Sequence, residues 1–286
     1  MDVILAVIVF VVTLVVLVVG FWLLGFQLPP RRAKPHPEPT QDRGTAPLPP
    51  DLPPAVRRYF AAILPAGATG VPRTDTAVLW GRARQRLFVA GRRIWVPVTW
   101  QEKFLAGKAF YWTVIVRWYW LPFGQGHDFY RDGHAEFKFG REAARSRQLD
   151  QAESLRLWAE TVWMPSAWLN DWQVHWQDTD SDTDSGVADP HRAILVVPSA
   201  AGADPERLDV WFDPQTGLID RLEGARFRGV NDEAPTRWTV ACLDWTDFRG
   251  VQIPARLRLS WDGEMYAELR VDGVEYNVEV TIAKNA

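Results

Sequence analysis

The most constraining feature of the sequence is an uncharged apolar run over residues 3–26, in which only Thr13, Gly20 and Gly25 dilute the large apolar residues. As a helix rising 1.5 Å per residue, the run would reach about 36 Å, enough to cross a hydrocarbon core of about 30 Å. A cleaved signal peptide is the competing interpretation, but no basic residue precedes the run. We therefore predict a retained transmembrane anchor over residues 1–26, placed in the lipid bilayer.

The charges around this run bear on its orientation. Arg31, Arg32 and Lys34 follow the run, whereas Asp2 precedes it. The positive-inside rule then favours a cytoplasmic position for the rest of the chain. The family resemblance described below favours the extracytoplasmic side instead, so the sequence leaves both sides open.

A proline-rich segment follows the anchor. Residues 27–54 contain ten prolines, a density that favours extended polyproline II over a packed core. We predict a linker over residues 27–52 and a single globular domain over residues 53–286.

The composition excludes several classes of protein. The net charge of −3 comes from interspersed acidic and basic residues, and no basic stripe predicts nucleic-acid binding. The single cysteine, Cys242, permits neither an internal disulfide nor a cysteine-based metal site. The unusual feature is the 16 tryptophans, which supply more large aromatic surface than a core normally needs.

Periodicity predicts a mainly β domain with two helices. The first helix should begin at Pro53 and Pro54 and close before Pro65, and the second should span residues 149–164 and end at Pro165. Alternation with a period of two predicts strands around residues 77–89, 93–104, 109–120, 127–131, 135–141, 172–178, 192–197, 207–212, 218–227, 237–248, 253–261 and 265–282.

Short turns at Ala90-Gly91, Ala106-Gly107 and Asp132-Gly133 indicate that neighbouring strands pair antiparallel. The expected fold is α+β and mainly β: a large curved antiparallel sheet or half-barrel of about 10–11 strands, with the second helix packed on its concave face. A closed barrel or a sandwich is the alternative.

Several short motifs occur in an order that resembles an uncharacterised bacterial family of membrane-anchored proteins, over roughly residues 53–282. They are Trp95-Val-Pro-Val-Thr-Trp100 with Glu102 and Phe104, Asp128-Phe-Tyr130-Arg-Asp-Gly133, Glu160-Thr-Val-Trp163-Met-Pro165, Asp213-Pro-Gln-Thr-Gly217-Leu-Ile219, Arg226-Phe227, and Gly250-Val-Gln-Ile253-Pro254 leading to Trp261. The resemblance implies no established reaction. Its layout is similar to the lipoprotein-carrier type of half-barrel, whose relatives enclose acyl chains between sheet and helix.

The polar motifs are interpreted without a metal or cofactor. His127 and His134 flank a turn with Asp128 and Asp132, but the spacing of a zinc motif such as HExxH is absent, so we expect surface or sheet-edge residues. The acidic segment 178–189 alternates aspartates as a calcium loop does, but the register fails at its glycine and last position. We expect a solvated connection there.

Glu160 lies in an otherwise apolar stretch between Trp158 and Trp163. A buried carboxylate can have a raised pKa and act as a general acid. An ion pair with an arginine such as Arg226 explains the residue equally well.

The tryptophans indicate either a large aromatic core or an apolar cavity. Trp112, Trp118 and Trp120 share a strand face by parity, while Tyr111 and Tyr119 lie on the other face, so both faces are aromatic. The candidate ligand-binding residues are Trp112, Trp118, Trp120, Trp158, Trp163, Glu160 and Arg226.

The sequence is compatible with three hypotheses about the function of the protein. We favour a non-enzymatic module that binds a lipid or another hydrophobic ligand near the membrane. The alternatives are a structural or assembly protein that binds another envelope protein, and a membrane-bound hydrolase that uses Glu160, Asp128 and His127.

Overall fold

The N-terminal run is a continuous helix, α1 (Asp2–Gly25), in a computed structural model that describes residues 2–31, 42–89, 92–140, 142–170, 173–179, 189–199 and 204–282. Its Val3–Gly25 portion has a mean hydropathy of 3.4, and its most apolar stretch is not buried against the rest of the protein. The helix is long and apolar enough to cross a membrane. Membrane anchors and signal sequences both have this composition.

Three further α-helices lie in the described part of the domain: α2 (Pro54–Ile63), α3 (Arg147–Glu160) and α4 (Ala167–Asn170). Pro54 begins α2 because the first turn needs no amide donor from it. Ser146 caps α3 by accepting from the Leu149 amide, and a 3-10 turn (Thr161–Trp163) extends α3 up to Pro165. Both predicted helices are thus confirmed within a few residues.

Fifteen strands are found in the described residues, in two sheets. The small sheet pairs β1 (Thr45–Ala46) with β2 (Val71–Pro72). The large sheet contains thirteen antiparallel strands in the order β8-β7-β6-β5-β4-β3-β15-β14-β13-β12-β11-β10-β9. These are β3 (Thr76–Val89), β4 (Arg92–Leu105), β5 (Ala109–Trp118), β6 (Leu121–Arg131), β7 (His134–Phe139), β8 (Glu142–Ala144), β9 (His175–Gln177), β10 (Arg192–Val197), β11 (Glu206–Phe212), β12 (Ile219–Arg226), β13 (Thr236–Phe248), β14 (Val251–Trp261) and β15 (Glu264–Tyr276).

The large sheet curves around α3. This helix contacts β6 and β7 on one side of the sheet order and β12 on the other, although six strands separate β6 from β12. A flat sheet could not bring both wings onto one helix about 10 Å wide. The predicted curved sheet with a helix against its concave face is therefore confirmed, with more strands than expected.

The chain after β15 explains why the predicted strand to residue 282 is shorter. Asn277 has φ of 55°, which ends the strand, and the tail then packs on the convex face. Val278 lies in a buried cluster with Val78 and Trp80, and Ile282 in another with Ala109 and Phe129. The strands have apolar residues on both faces because a helix covers one and the tail covers part of the other.

Parts of the predicted linker pack on the domain. Ala46 and Leu52 are buried, and β1 falls inside the range 27–52 that the sequence assigned to the linker; Phe26, the last residue of the predicted anchor, is buried too. Residues 32–41 in its middle lie outside the described residues, as do the predicted Ala90-Gly91 turn and most of the acidic segment 178–189. Both other predicted turns are present, with Gly107 and Gly133 at positive φ.

Candidate functional site

A buried arginine with four carboxyl groups around it lies where α3 meets the sheet. Arg156 bonds Glu102 of β4 at 2.9 Å, Asp128 of β6 at 2.6 Å, and Glu160, one helical turn away, at 2.9 Å. Glu153 completes the group at 3.4 Å. Each of these five side chains is at most 12% exposed, so the guanidinium has exchanged water for carboxylates.

A second arginine extends this cluster toward the other wing of the sheet. Arg226 of β12 donates to Glu153 at 2.7 Å and to the carbonyl oxygen of Ala152 at 2.7 Å. Its guanidinium lies 4.7 Å from the ring centre of Trp238, while that of Arg156 lies 4.8 Å from the ring centre of Trp112. The cluster thus ties α3 to both wings through ion pairs and cation–π contacts.

Two arginines face four carboxyl groups, and burial raises the pKa of three of these. Burial and the nearby Glu160 raise the pKa of Glu102 well above its ordinary range. Burial and Glu153 raise the pKa of Asp128 to about 7, despite its bond to Arg156. Burial also raises the pKa of Glu160. A proton on Glu102 allows it to donate to Glu160, and two protons in all would bring the cluster to zero net charge.

A cavity of about 250 Å³ adjoins the cluster between α3 and the concave face. Its polar side consists of two acidic residues, three arginines and one amide: Asp128, Glu160, Arg156, Arg226, Arg228 and Gln85. Its other walls are chiefly apolar and aromatic: Ala83, Trp112, Trp238, Leu259, Trp261, Tyr266, Ala267 and Leu269. Small-molecule sites combine such walls with a few convergent polar groups.

Some polar atoms in this wall lack a partner among the described residues. They include Oδ1 of Asp128 and Nε1 of Trp112, which belong to directly opposed residues on β5 and β6. One is an acceptor and the other a donor, and both are closed off from solvent. A buried polar atom without a partner destabilises the folded protein by about 1–3 kcal/mol. A ligand or water that forms a hydrogen bond with such an atom, after a small side-chain rotation, would remove this cost.

The predicted ligand-binding residues lie in three places: at the cavity, in the buried packing around the end of α3, and at the turn between β5 and β6. Trp112, Glu160 and Arg226 line the cavity. Trp163 is fully buried and stacks on Trp100 at 5.7 Å between ring centres, and its Nε1 donates to the Pro254 carbonyl oxygen. Trp158 is buried against Gly107 of the turn between β4 and β5.

Trp118 and Trp120 lie at the third place, the turn between β5 and β6. The structure ends β5 at Trp118, and Tyr119 has φ of 53°. This kink takes Trp120 out of the strand parity that the sequence suggested. Trp120 is 50% exposed, so neither residue belongs to the cavity.

The three residues of the hydrolase hypothesis do not converge. Asp128 and Glu160 meet at Arg156, but the alternation of β6 turns His127 to the opposite face, where it bonds Tyr111 at 2.8 Å. Burial lowers the pKa of His127. Glu160 does pair with an arginine, but the partner is Arg156 and not the suggested Arg226, which bonds Glu153.

His134 and Asp132 lie at the exposed turn after β6, as the sequence interpretation expected of sheet-edge residues. Within the described ranges, no group of three or more His, Cys, Asp and Glu residues could hold a metal ion.

Sequence reasoning missed Arg156, the centre of the cluster. Glu153, Arg156 and Glu160 have the spacing of ordinary surface ion pairs on a helix. These three residues share one helical face, as surface charges do, so no local signal identifies them; only the structure shows that every residue from 152 to 160 is buried.

The fold and the cavity together define a class: a curved antiparallel half-barrel that closes around a buried helix. Residues 43–269 match the model of the family of unknown function DUF6544. The chain belongs to that family, as the resemblance in its motifs predicted.

The chain is also similar to solved structures, at low identity and low TM-score. A DUF1329 family protein from Desulfovibrio piger is 10% identical with a TM-score of 0.41, covering 80% of this chain and 92% of its own. A LolA superfamily protein from Nitrosomonas europaea is 10% identical with a TM-score of 0.42, covering 81% and 96%. No curated protein matches the chain.

Proposed function

We propose that this protein is a membrane-anchored, non-enzymatic module that binds a small neutral hydrophobic ligand in the cavity beneath α3. The observation that carries the proposal is the cavity itself, whose walls are apolar and aromatic on one side and polar on the other. In this proposal α1 is retained and holds the cavity near the bilayer, a source of apolar molecules. Either side of a membrane offers such a source.

The size of the cavity limits the ligand. Small-molecule sites usually enclose about 300–1,000 Å³, and this cavity of about 250 Å³ falls just below that range. A short hydrocarbon chain or a small ring compound matches it, whereas a complete two-chain lipid is too large.

The charge of the cluster selects a neutral ligand. Arg156 and Arg226 balance the carboxyl groups once two of these hold protons, and Arg228, the third arginine at the cavity, is paired with Asp262. A charged head group would therefore bring an additional charge without a counter-ion into the site. A hydroxyl or amide group avoids this cost. It can also both donate and accept, which complements Oδ1 of Asp128 and Nε1 of Trp112.

Native mass spectrometry of the full chain, released from detergent after incubation with 1-decanol, decanoate or decylamine, tests this proposal. We expect a one-to-one adduct with decanol and at least tenfold less with the two charged analogues. Equal adducts with all three ligands, or none with decanol, would count against the proposal.

A matched pair of variants locates the ligand. Ala267 lines the cavity, so Ala267→Leu should fill part of it and remove the decanol adduct. Ala241 lies on the opposite face of the same sheet by strand parity, so Ala241→Leu should keep it. An adduct that survives Ala267→Leu would place the ligand elsewhere.

A further inference from the structure

The turn between β5 and β6 exposes a contiguous apolar surface. Trp120 is 50% exposed, and Leu121 and Phe123 are each 61% exposed. Single exposed apolar residues are ordinary, but a contiguous group of large ones on a folded domain marks an interaction surface. We call residues 118–123 the aromatic tip.

The aromatic tip also holds the C-terminal end of α1. Nε1 of Trp118 donates to the Trp22 carbonyl oxygen at 3.0 Å, and the Tyr119 hydroxyl donates to the Phe21 carbonyl oxygen at 2.6 Å. The Tyr119 amide donates to the Gly25 carbonyl oxygen at 2.7 Å. The last carbonyl groups of a helix lack partners within it, so the domain caps this end of α1.

Two backbone features fit this contact. A Cβ atom at Gly25 would overlap the Trp118 indole, so the glycine permits the close approach. Tyr119 has φ of 53°, a left-handed conformation that is unfavourable for a bulky residue by about 1–3 kcal/mol. Its two hydrogen bonds to α1 offset this strain, which indicates that the turn is shaped to hold the helix.

The position of this contact identifies what covers the exposed side chains. If α1 spans the hydrocarbon core, its last turn lies at the membrane–water interface, and the aromatic tip bonded to that turn lies at the same depth. Trp and Tyr are enriched at this depth because their rings are apolar and their N–H and O–H groups need polar partners.

Basic side chains lie at the same end of the molecule. The Arg31 guanidinium lies 5.0 Å from the ring centre of Trp120. Arg92 and Arg93 are exposed where β4 begins, and the antiparallel order places this end of β4 beside the end of β5. Basic residues at the surface of a bilayer are attracted to anionic head groups.

We infer that the aromatic tip inserts into the bilayer interface beside α1, so that the domain is held against the membrane in a fixed orientation instead of moving freely on a linker. The inference rests on α1 remaining attached. It is independent of the ligand, because the aromatic tip takes no part in the cavity.

A fluorescent label at the aromatic tip tests this inference. Leu121→Cys in the full chain is labelled with an NBD fluorophore and reconstituted into nanodiscs of phosphatidylethanolamine and phosphatidylglycerol. Gln215→Cys is the control, since the turn between β11 and β12 is exposed and lies at the opposite ends of the strands. Unsubstituted protein gives the background, because Cys242 is buried.

Doxyl-labelled lipids should quench the label at residue 121 at least threefold more than the label at residue 215, and aqueous iodide should show the reverse order. Equal quenching of the two labels by lipid would overturn the inference. A label at residue 121 that neither quencher reaches would overturn it too, because a protein partner would then cover the aromatic tip.

Discussion

The middle of α3 and the 3-10 turn that extends it are both buried, but their surroundings differ. In the turn, Trp163 stacks on Trp100 and bonds the Pro254 carbonyl oxygen. In the middle of α3, Arg156 gathers four carboxyl groups beside a cavity with unpartnered polar atoms. Aromatic packing dominates around Trp163, although Nε1 of Trp100 has no partner among the described residues, whereas the middle of α3 keeps charge and space that stability alone would not require. This contrast fits a structural role for the turn after α3 and the proposed binding role for the middle of the helix.

The largest effect is expected from Arg156→Ala. The substitution leaves four buried carboxyl groups without their common partner, and breaking such a group should cost about 5 kcal/mol of unfolding free energy at pH 8. Urea unfolding in detergent, followed by tryptophan fluorescence, measures the loss.

The pH dependence separates this loss from a simple packing defect. At pH 5 the carboxyl groups hold more protons and need the arginine less, so the deficit of Arg156→Ala should shrink. A deficit that is the same at pH 5 and pH 8 would contradict the electrostatic account.

Trp163→Ala should cost about 3–5 kcal/mol, because the ring is fully buried and its removal leaves a cavity against Trp100. Trp163→Phe keeps an aromatic ring and should cost less. Neither deficit should change between pH 5 and pH 8. Unchanged unfolding of Trp163→Ala would show that the turn after α3 is not part of the core.

The wild-type protein should lose stability as the pH rises from 6 to 8. The folded-state pKa of Asp128 is raised to about 7 from its ordinary value of 3.8, so the folded state binds more protons than the unfolded state in this window. Stability present at lower pH is therefore lost as the pH rises, by about 1–2 kcal/mol between pH 6 and pH 8. Glu153, Arg156 and Arg226 face this carboxyl group and set the shift with its burial.

Asp128→Asn should flatten this slope, because an amide does not titrate. Asp209→Asn removes a more accessible carboxylate, the partner of Arg192, and controls for the loss of one acidic group. A slope of equal size in Asp128→Asn and wild type would assign the titration to another member of the cluster.

Much of the fold could be predicted from local pattern. The uncharged run to residue 26 and the alternation in β3 to β15 are sequence properties, and most strands lie within two or three residues of their predicted bounds. The site could be predicted only in part. Trp112, Glu160 and Arg226 were found as candidate residues, but the arginine that pairs with Glu160 could not be identified, because nothing local distinguishes Arg226 from Arg156 as a partner.

The sequence by itself determined the apolar helix, the antiparallel order of neighbouring strands and the excess of large aromatic residues, because each depends on side chains that are close along the chain. Only the tertiary structure decided that Glu102, Asp128 and Arg156 meet, that the Trp163 ring is core while Trp112 lines a cavity, and that Trp118 reaches α1. Those outcomes depend on the curvature that brings both wings of the sheet onto α3, and curvature is set by packing over the whole sheet.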